Sequence, residues 1–314
     1  MSELFSWGHE NPFNDYSSFL RRKFQQRVQK LSLNVGFTCP NRDGNRGVGG
    51  CTFCNNETFN PDYCEPEISI TDQINTGVSF FNKRYPDQLY LAYFQAYTNT
   101  YGPLDELKKL YEEALAHPKI TGIVVGTRPD CLPDDLIDYF SELQKDSYVV
   151  VELGIESTNE QTLRSINRGH TFEETREAMM KLKKANLPVG GHLIMGLPGE
   201  SDEELLSHAE VLSDLPLNYL KLHQLQYVKG SALGKAFQKD PSTFRVLKAD
   251  EYVDLVISFL ERLKPEIIVE RMASQAPQRL LLAPRWGLKN FQLVEIVRKR
   301  MKERNTWQGR LFQK

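Results

Sequence analysis

No stretch of this 314-residue chain approaches the roughly 18 consecutive apolar residues that a membrane-spanning helix requires. The opening MSELFSWGHENPF also lacks a basic segment followed by an apolar one, so no secretory leader is expected. The expected location is cytoplasmic, with no membrane partner. Cysteine is scarce: five residues, an odd number, are too few for a disulfide framework, and a reducing compartment would keep them as thiols. Neither sign of charge is in excess, with 39 basic side chains against 41 acidic ones. Repeats and low-complexity tracts are missing too, and at 40% hydrophobic and 25% charged residues the composition excludes collagen, coiled coil and disorder. What remains is a globular chain long enough for two domains, or for one barrel of about 200 to 250 residues with an appendage.

What is present is unevenly placed. Cys39, Cys51, Cys54 and Cys64 fall close together and Cys131 stands alone. Residues 21–30, RRKFQQRVQK, hold five basic side chains and no acid, and residues 289–314 hold eight basic residues against Glu295 and Glu303. With those ends set aside, a chain of net charge −2 is left with an acidic body. Basic ends of this kind suit a polyanion, although solvated helix faces would look the same.

Strand-like and helix-like stretches alternate from residue 31 onward. LSLNVGF (31–37), LYLAYFQAY (89–97), ITGIVVG (120–126), YVVVELGI (148–155), VGGHLIMG (189–196) and YLKLHQLQYV (219–228) read as six strands. Helices are expected at 104–117, 134–144 behind Pro133, 159–167, 172–185 and 201–215, the last opened by a capping box of Ser201 and Glu204. Such alternation implies a parallel sheet with helical crossovers, doubly wound or an incomplete barrel, with ligands at the carboxyl ends of its strands. After about residue 230 the pattern changes to a helix (250–263), a possible strand EIIVER (266–271) and a basic helix (289–304). The domain expectation is a basic arm over 1–30, a core over 31–230 and an α/β extension over 231–314.

CPNRDGNRGVGGCTFC places Cys39, Cys51 and Cys54 directly after the first strand, at the ligand-binding end, with Gly44, Gly47, Gly49 and Gly50 free to curl the loop. Thiolates so spaced select zinc or an iron–sulfur cluster. A zinc site would recruit Cys64, but zinc ligands of this class usually come as two close pairs and only one is present. Three thiolates would hold three irons of a 4Fe–4S cluster and leave the fourth open to a ligand. Phe53, just before the last cysteine, could pack on a nucleoside lying over such a cluster.

On these residues the chain resembles the radical S-adenosylmethionine (SAM) superfamily. CPNRDGNRGVGGCTFC, AYFQAYTNTY (92–101), GTRPDCLP (126–133), ELGIES (152–157), INRGHT (166–171), HLIMGLPGE (192–200) and NTWQG (305–309) resemble more closely the YtqA/YhcC subgroup, which is related to the Elongator catalytic subunit and includes a tRNA-modifying member. The resemblance implies a partial (β/α)6 TIM-like barrel with a C-terminal α/β extension. It also implies a 4Fe–4S cluster on Cys39, Cys51 and Cys54, and SAM cleaved reductively to a 5′-deoxyadenosyl radical. The electron would come from a donor such as flavodoxin or ferredoxin.

The same resemblance assigns roles around SAM. FQAYTNT departs from the family's usual Gly-rich motif after strand two, so Gln95 and Thr98 are the candidates for the methionyl amine. Glu156, with Glu152 as runner-up, would accept from the ribose, Arg168 would fork onto the methionyl carboxylate, and the backbone near Met195 and Leu225 would meet adenine. His192, Lys221 and His223, and with them Arg128 and Asp130, are candidates for substrate contact or proton transfer, while Cys64 and Cys131 are expected bystanders. The implied partner is a tRNA anticodon loop, gripped by basic residues interleaved with Trp286, Phe291 and Trp307. The implied reaction converts 5-carboxymethylaminomethyl(-2-thio)uridine at the wobble position to 5-aminomethyl(-2-thio)uridine, through hydrogen removal from the glycine-like methylene, an imine and its hydrolysis. The rival readings are a radical SAM enzyme for a protein or small metabolite, and a zinc-stabilised RNA-binding protein without catalysis.

Overall fold

The Val-rich run at 148–156 presents apolar side chains to both faces of its strand and therefore needs cover on both sides. The computed structural model, which describes residues 4–58, 61 and 63–313, supplies that cover. Helix α1 (Tyr16–Phe24) precedes β1 (Val28–Leu33). Then α2 (Ile70–Asn82) leads to β2 (Leu89–Phe94), α3 (Leu104–Leu115) to β3 (Ile120–Thr127), and α4 (Asp134–Leu143) to β4 (Tyr148–Glu156). The short α5 (Glu160–Ser165) and α6 (Phe172–Lys184) lead to β5 (Val189–Met195), and α7 (Asp202–Ser213) to β6 (Tyr219–Gln224). Beyond lie β7 (Tyr227–Val228), α8 (Ala232–Lys239), α9 (Ala249–Arg262), β8 (Ile268–Arg271), β9 (Leu281–Ala283) and α10 (Asn290–Glu303).

The main sheet runs β1-β2-β3-β4-β5-β6-β8 with every neighbour parallel, a curled half-barrel. Outward-facing Ile123, Val125, Val149, Val151 and Leu153 pack with Leu107, Tyr111, Leu136 and Phe140 of the covering helices. Inward-facing Leu91, Tyr93, Val124, Val150, Tyr219 and Ile268 form a second core, which Tyr16 and Leu20 of α1 complete. The capping box expected at Ser201 and Glu204 opens α7.

Four differences from the sequence reading matter. The first strand begins at Val28 and ends at Leu33, so residues 34–37 have already left the sheet. Helix α2 was not anticipated, because Thr71, Asn75, Thr76 and Gly77 blur its periodicity. The sheet has seven strands rather than six: EIIVER was assigned to the extension, yet its β8 pairs with β6 inside the barrel.

The fourth concerns the basic arm. Phe24 lies edge-on to Tyr148 at 5.4 Å, and Tyr16 and Phe19 each lie 5.5 Å from Tyr219. Those tyrosines are the first residues of β4 and β6, so α1 covers the amino-terminal end of the barrel. Exposed Arg21, Arg22 and Lys23 therefore sit opposite the carboxyl ends, and Lys30 belongs to β1 rather than to an arm.

Candidate active site

Parallel pairing brings the loops after successive strands to one end of the barrel. The first and longest, after β1, carries the cysteines. Asn41, fully buried within it, donates to the carbonyl of Asn167 at 2.6 Å and towards Sγ of Cys51 at 3.7 Å. Asn167 in turn donates to the carbonyl of Gly50 at 2.9 Å, and the Thr52 amide reaches the carbonyl of Ile166 at 2.9 Å. The cysteine loop is thus clamped to INRGHT. Gly169 lies at the crossing point: its φ is +73°, and a Cβ there would come within 2.5 Å of Oδ1 of Asn41.

Cys39, Cys51 and Cys54 line one cavity enclosing about 1190 Å³ of space, part of it open to solvent. Burial pushes the Cys54 thiol up to about 11, with Cys51 and Cys39 adding to the rise and Arg42 opposing it. Among the described residues no three His, Cys, Asp or Glu side chains converge on a single-metal position. One zinc would need thiolate sulfurs about 4 Å apart, whereas a cluster spreads its ligands over separate irons. Cys64 does not line the cavity and its thiol donates to the carbonyl of Ser32 at 2.8 Å. A four-thiolate zinc site is therefore not assembled.

Further residues from the sequence reading meet in the same cavity: Phe53, Gln95, Thr98, Arg128, Glu152, Glu156, Arg168, His192, His223 and Leu225 all line it. Oγ1 of Thr98 is buried without a partner, and Gln95 accepts from Ser32 at 3.2 Å. Arg168 donates through Nη2 to the carbonyl of Gly154 at 2.7 Å and through Nη1 towards Sγ of Cys51 at 3.5 Å, while its buried Nε has no partner. Glu156 approaches Arg168 at 3.5 Å and adopts φ +67°, a conformation unfavourable for a residue with a Cβ. Burial raises the Glu156 carboxyl, and Arg168 and Arg128 counter that rise. Arg128 is held by Asp130 at 2.8 Å and donates to the carbonyl of Arg168, which gives it a bracing position.

Three expected residues lie outside the lining: Asp130, engaged with Arg128, and Met195 and Lys221. Met195 does not line the cavity: strand alternation turns its side chain to the helix-covered core, and its carbonyl accepts from the Leu225 amide at 2.8 Å. Its neighbour Ile194 lines the cavity instead. Lys221 lies beneath the lining in a buried charge network. Glu152 accepts from Lys30 at 2.5 Å, from Lys221 at 2.6 Å and pairs with His192 at 2.9 Å. Glu270 pairs with Lys30 at 2.6 Å and Lys221 at 3.1 Å, and Lys221 donates to the hydroxyl of Tyr93 at 3.0 Å. Burial opposes the charge on Glu152, but Lys221, Lys30 and His192 hold its carboxyl well below the usual range. Burial lowers Lys221 to about 8 against the pull of Glu152 and Glu270, and lowers His192 to about 4. The sequence reading missed Asn41, Glu270 and Arg271 and placed Lys30 in the basic arm; for Lys30 and Glu270 the available signal was an ionisable residue within a short strand-like stretch.

The basic C-terminal helix is largely occupied. Arg300 pairs with Asp250 at 2.6 Å and Asp254 at 2.9 Å, and Arg304 with Asp254 at 2.6 Å. Trp286 packs on Tyr252 and donates to the carbonyl of Leu247, an anchoring role, while Phe291 and Trp307 remain exposed.

The donor set fits an iron–sulfur cluster with SAM: three thiols share one cavity with the Thr98 hydroxyl and the Arg168 guanidinium, whose Oγ1 and Nε have no partner among the described residues. Residues 34–212 match the family model of the Radical SAM superfamily, and residues 217–303 that of the Radical_SAM C-terminal domain. The chain is 36% identical over 305 residues to YtqA of Bacillus subtilis (strain 168), a match covering 97% of this chain and 94% of that protein. It is 26% identical over 205 residues to the tRNA uridine(34) acetyltransferase of Methanocaldococcus infernus, covering 64% of this chain but 36% of that protein. The solved structure of archaeal Elp3 from Methanocaldococcus infernus, with its N-terminus deleted, is similar at a TM-score of 0.65 and 17% identity, over 90% of this chain and 64% of that one.

Proposed function

The chain belongs to the radical SAM superfamily, whose members use a 4Fe–4S cluster and SAM, and from that premise we propose that it modifies the wobble uridine of tRNA. The proposed conversion takes 5-carboxymethylaminomethyl(-2-thio)uridine to 5-aminomethyl(-2-thio)uridine: the methylene would give one hydrogen atom to the deoxyadenosyl radical and one electron back to the one-electron donor, and water would hydrolyse the resulting imine, so that the two-carbon unit leaves as glyoxylate. The observation that supports an RNA substrate is the 205-residue similarity to a protein named for acting on tRNA uridine 34.

When bound, the cluster and SAM supply a hydrogen-abstracting carbon radical by one-electron reduction. Cys39, Cys51 and Cys54 would hold three irons. Thr98, whose hydroxyl has no partner among the described residues, and Gln95 would accept from the methionyl amine, and Arg168 would hold the methionyl carboxylate. Glu156 would accept from the ribose, Phe53 would pack on the nucleoside, and the backbone at Ile194 and Leu225 would face adenine. His192, neutral because burial lowers it to about 4, donates through Nε2 to Glu152 and keeps Nδ1 as a proton acceptor for imine hydrolysis. Exposed Phe291 and Trp307 offer stacking surfaces for unpaired bases.

Nucleoside mass spectrometry of tRNA from a strain lacking this chain tests the substrate. Accumulation of the carboxymethylaminomethyl form is expected, and an unchanged nucleoside profile would overturn the reading. In vitro, deuterium placed on the methylene beside the carboxylate is expected in 5′-deoxyadenosine; its absence rejects the chemistry.

A further inference from the structure

The barrel interior does not balance its charge. Lys30, Lys221 and Arg271 bring three cations, whereas Glu152 and Glu270 bring two carboxylates. The two histidines among them add no compensation: burial lowers His192 and His223, and Arg271 pushes His223 down further. Both lysines lie against carboxylates. Among the described residues Arg271 has none: its guanidinium contacts Nε2 of His223 at 3.0 Å, and its buried Nε has no partner among them. Arg271 is only partly buried, so its guanidinium is open to a further partner, and its buried Nε–H is costly to leave unmatched.

Backbone geometry explains how it gets there. Val269 pairs with Leu220, but Arg271 rather than Glu270 pairs with Lys221, so the register slips by one residue. Such an irregularity re-aims side chains at the end of a strand. It lets neighbouring Glu270 and Arg271 both serve the interior, where simple alternation would send one outward. His223, which carries Arg271, lines the cavity and stacks on His192 with ring centroids 5.5 Å apart. That wall is formed by His192 and Ile194 of β5 and His223 of β6, and Arg271 of β8 lies against His223 just outside the lining.

We propose that Arg271, aimed by His223 beside His192, receives an anionic group of the substrate. On the function proposed above, on which this identification rests, the group is the carboxylate of the carboxymethylaminomethyl substituent. The methylene to be attacked would then be anchored by the very group the reaction removes, and the aminomethyl product, lacking it, would leave.

The test compares two anticodon stem–loops, one with 5-carboxymethylaminomethyluridine and one with 5-aminomethyluridine, binding to reconstituted wild-type, Arg271→Gln and Arg271→Lys proteins. Arg271→Gln is expected to weaken the first about ten- to hundredfold, the scale of a charged hydrogen bond, and to leave the second and SAM binding unchanged. Arg271→Lys should recover part of the loss. Equal weakening of both RNAs, loss of SAM binding, or no change with either RNA overturns the proposal. If the wild type binds neither RNA, the tRNA reading has failed and the anion site is read separately. The arginine Nε–H resonance that disappears in Arg271→Gln should then move on addition of N-methylglycine but not its methyl ester; a resonance that ignores the acid rejects the anion site as well.

Discussion

Glu156 shows how one residue is held against its own preferences. Its φ of +67° is unfavourable for any side chain with a Cβ, and burial opposes its charge. Gly154 is part of the arrangement, since a Cβ there would fall 2.5 Å from Nη2 of Arg168 and 2.6 Å from Oε1 of Glu156. A carboxyl raised on folding lowers stability once ionised: the penalty is absent below the unfolded value of about 4.3 and present above it. Glu156→Gln is therefore expected to raise the melting temperature at pH 7, with the gain shrinking as the pH falls towards 4. The same variant should bind SAM more weakly, by about tenfold or more in equilibrium binding. A variant that is neither stabilised nor impaired would show that the carboxylate has no place at the ribose.

At the scale of elements, the cysteine loop depends on a second loop from far along the chain. The clamp between Asn41, Asn167 and Gly50 joins residues more than a hundred apart, so the thiols are positioned by the turn between α5 and α6 as much as by their own glycines. Asn41→Ala should leave the barrel folded by far-ultraviolet circular dichroism but retain iron about tenfold less tightly after anaerobic reconstitution, as loss of an outer contact does at metal sites. Gly169→Ala should act the same way, because its Cβ would collide with the Asn41 side chain. Iron content matching the wild type in both variants would refute the clamp. The glycines of CPNRDGNRGVGG announce a curled loop in the sequence, whereas its partner INRGHT is recognisable there only by resemblance.

Across the whole molecule, stability and site share one electrostatic core. Glu152 offsets two buried lysines, so Glu152→Gln leaves like charges together and is expected to cost about 3 kcal/mol in urea unfolding at pH 7. Because its carboxyl is held below the usual range in the folded chain, this contribution is complete above about pH 4.5 and is lost as the pH falls further. The gap between wild type and variant should close on acidification; a gap independent of pH would assign the loss to packing. The basic ends have separate fates on the same scale. Arg21, Arg22 and Lys23 lie at the far end of the barrel, and Arg300 and Arg304 are consumed in joining α10 to α9.

Sequence alone determined the alternation of strands and helices, and with it a parallel sheet, because periodicity and burial on both faces are properties of consecutive residues, whereas the half-barrel rather than a doubly wound sheet was implied by the family resemblance. It also marked Cys39, Cys51 and Cys54 as candidate ligands, since eleven glycine-rich residues between the first two are a local statement. Tertiary structure decided that β8 enters the barrel, that Lys30 points inward rather than into solvent, and that Met195 turns away from the cavity. Those outcomes depend on which strands become neighbours and on where the register slips. Glu152 has two lysines as counter-charges while Arg271 has no carboxylate among the described residues, and only the closed-up interior, whose residues lie as much as 240 positions apart, makes that difference visible.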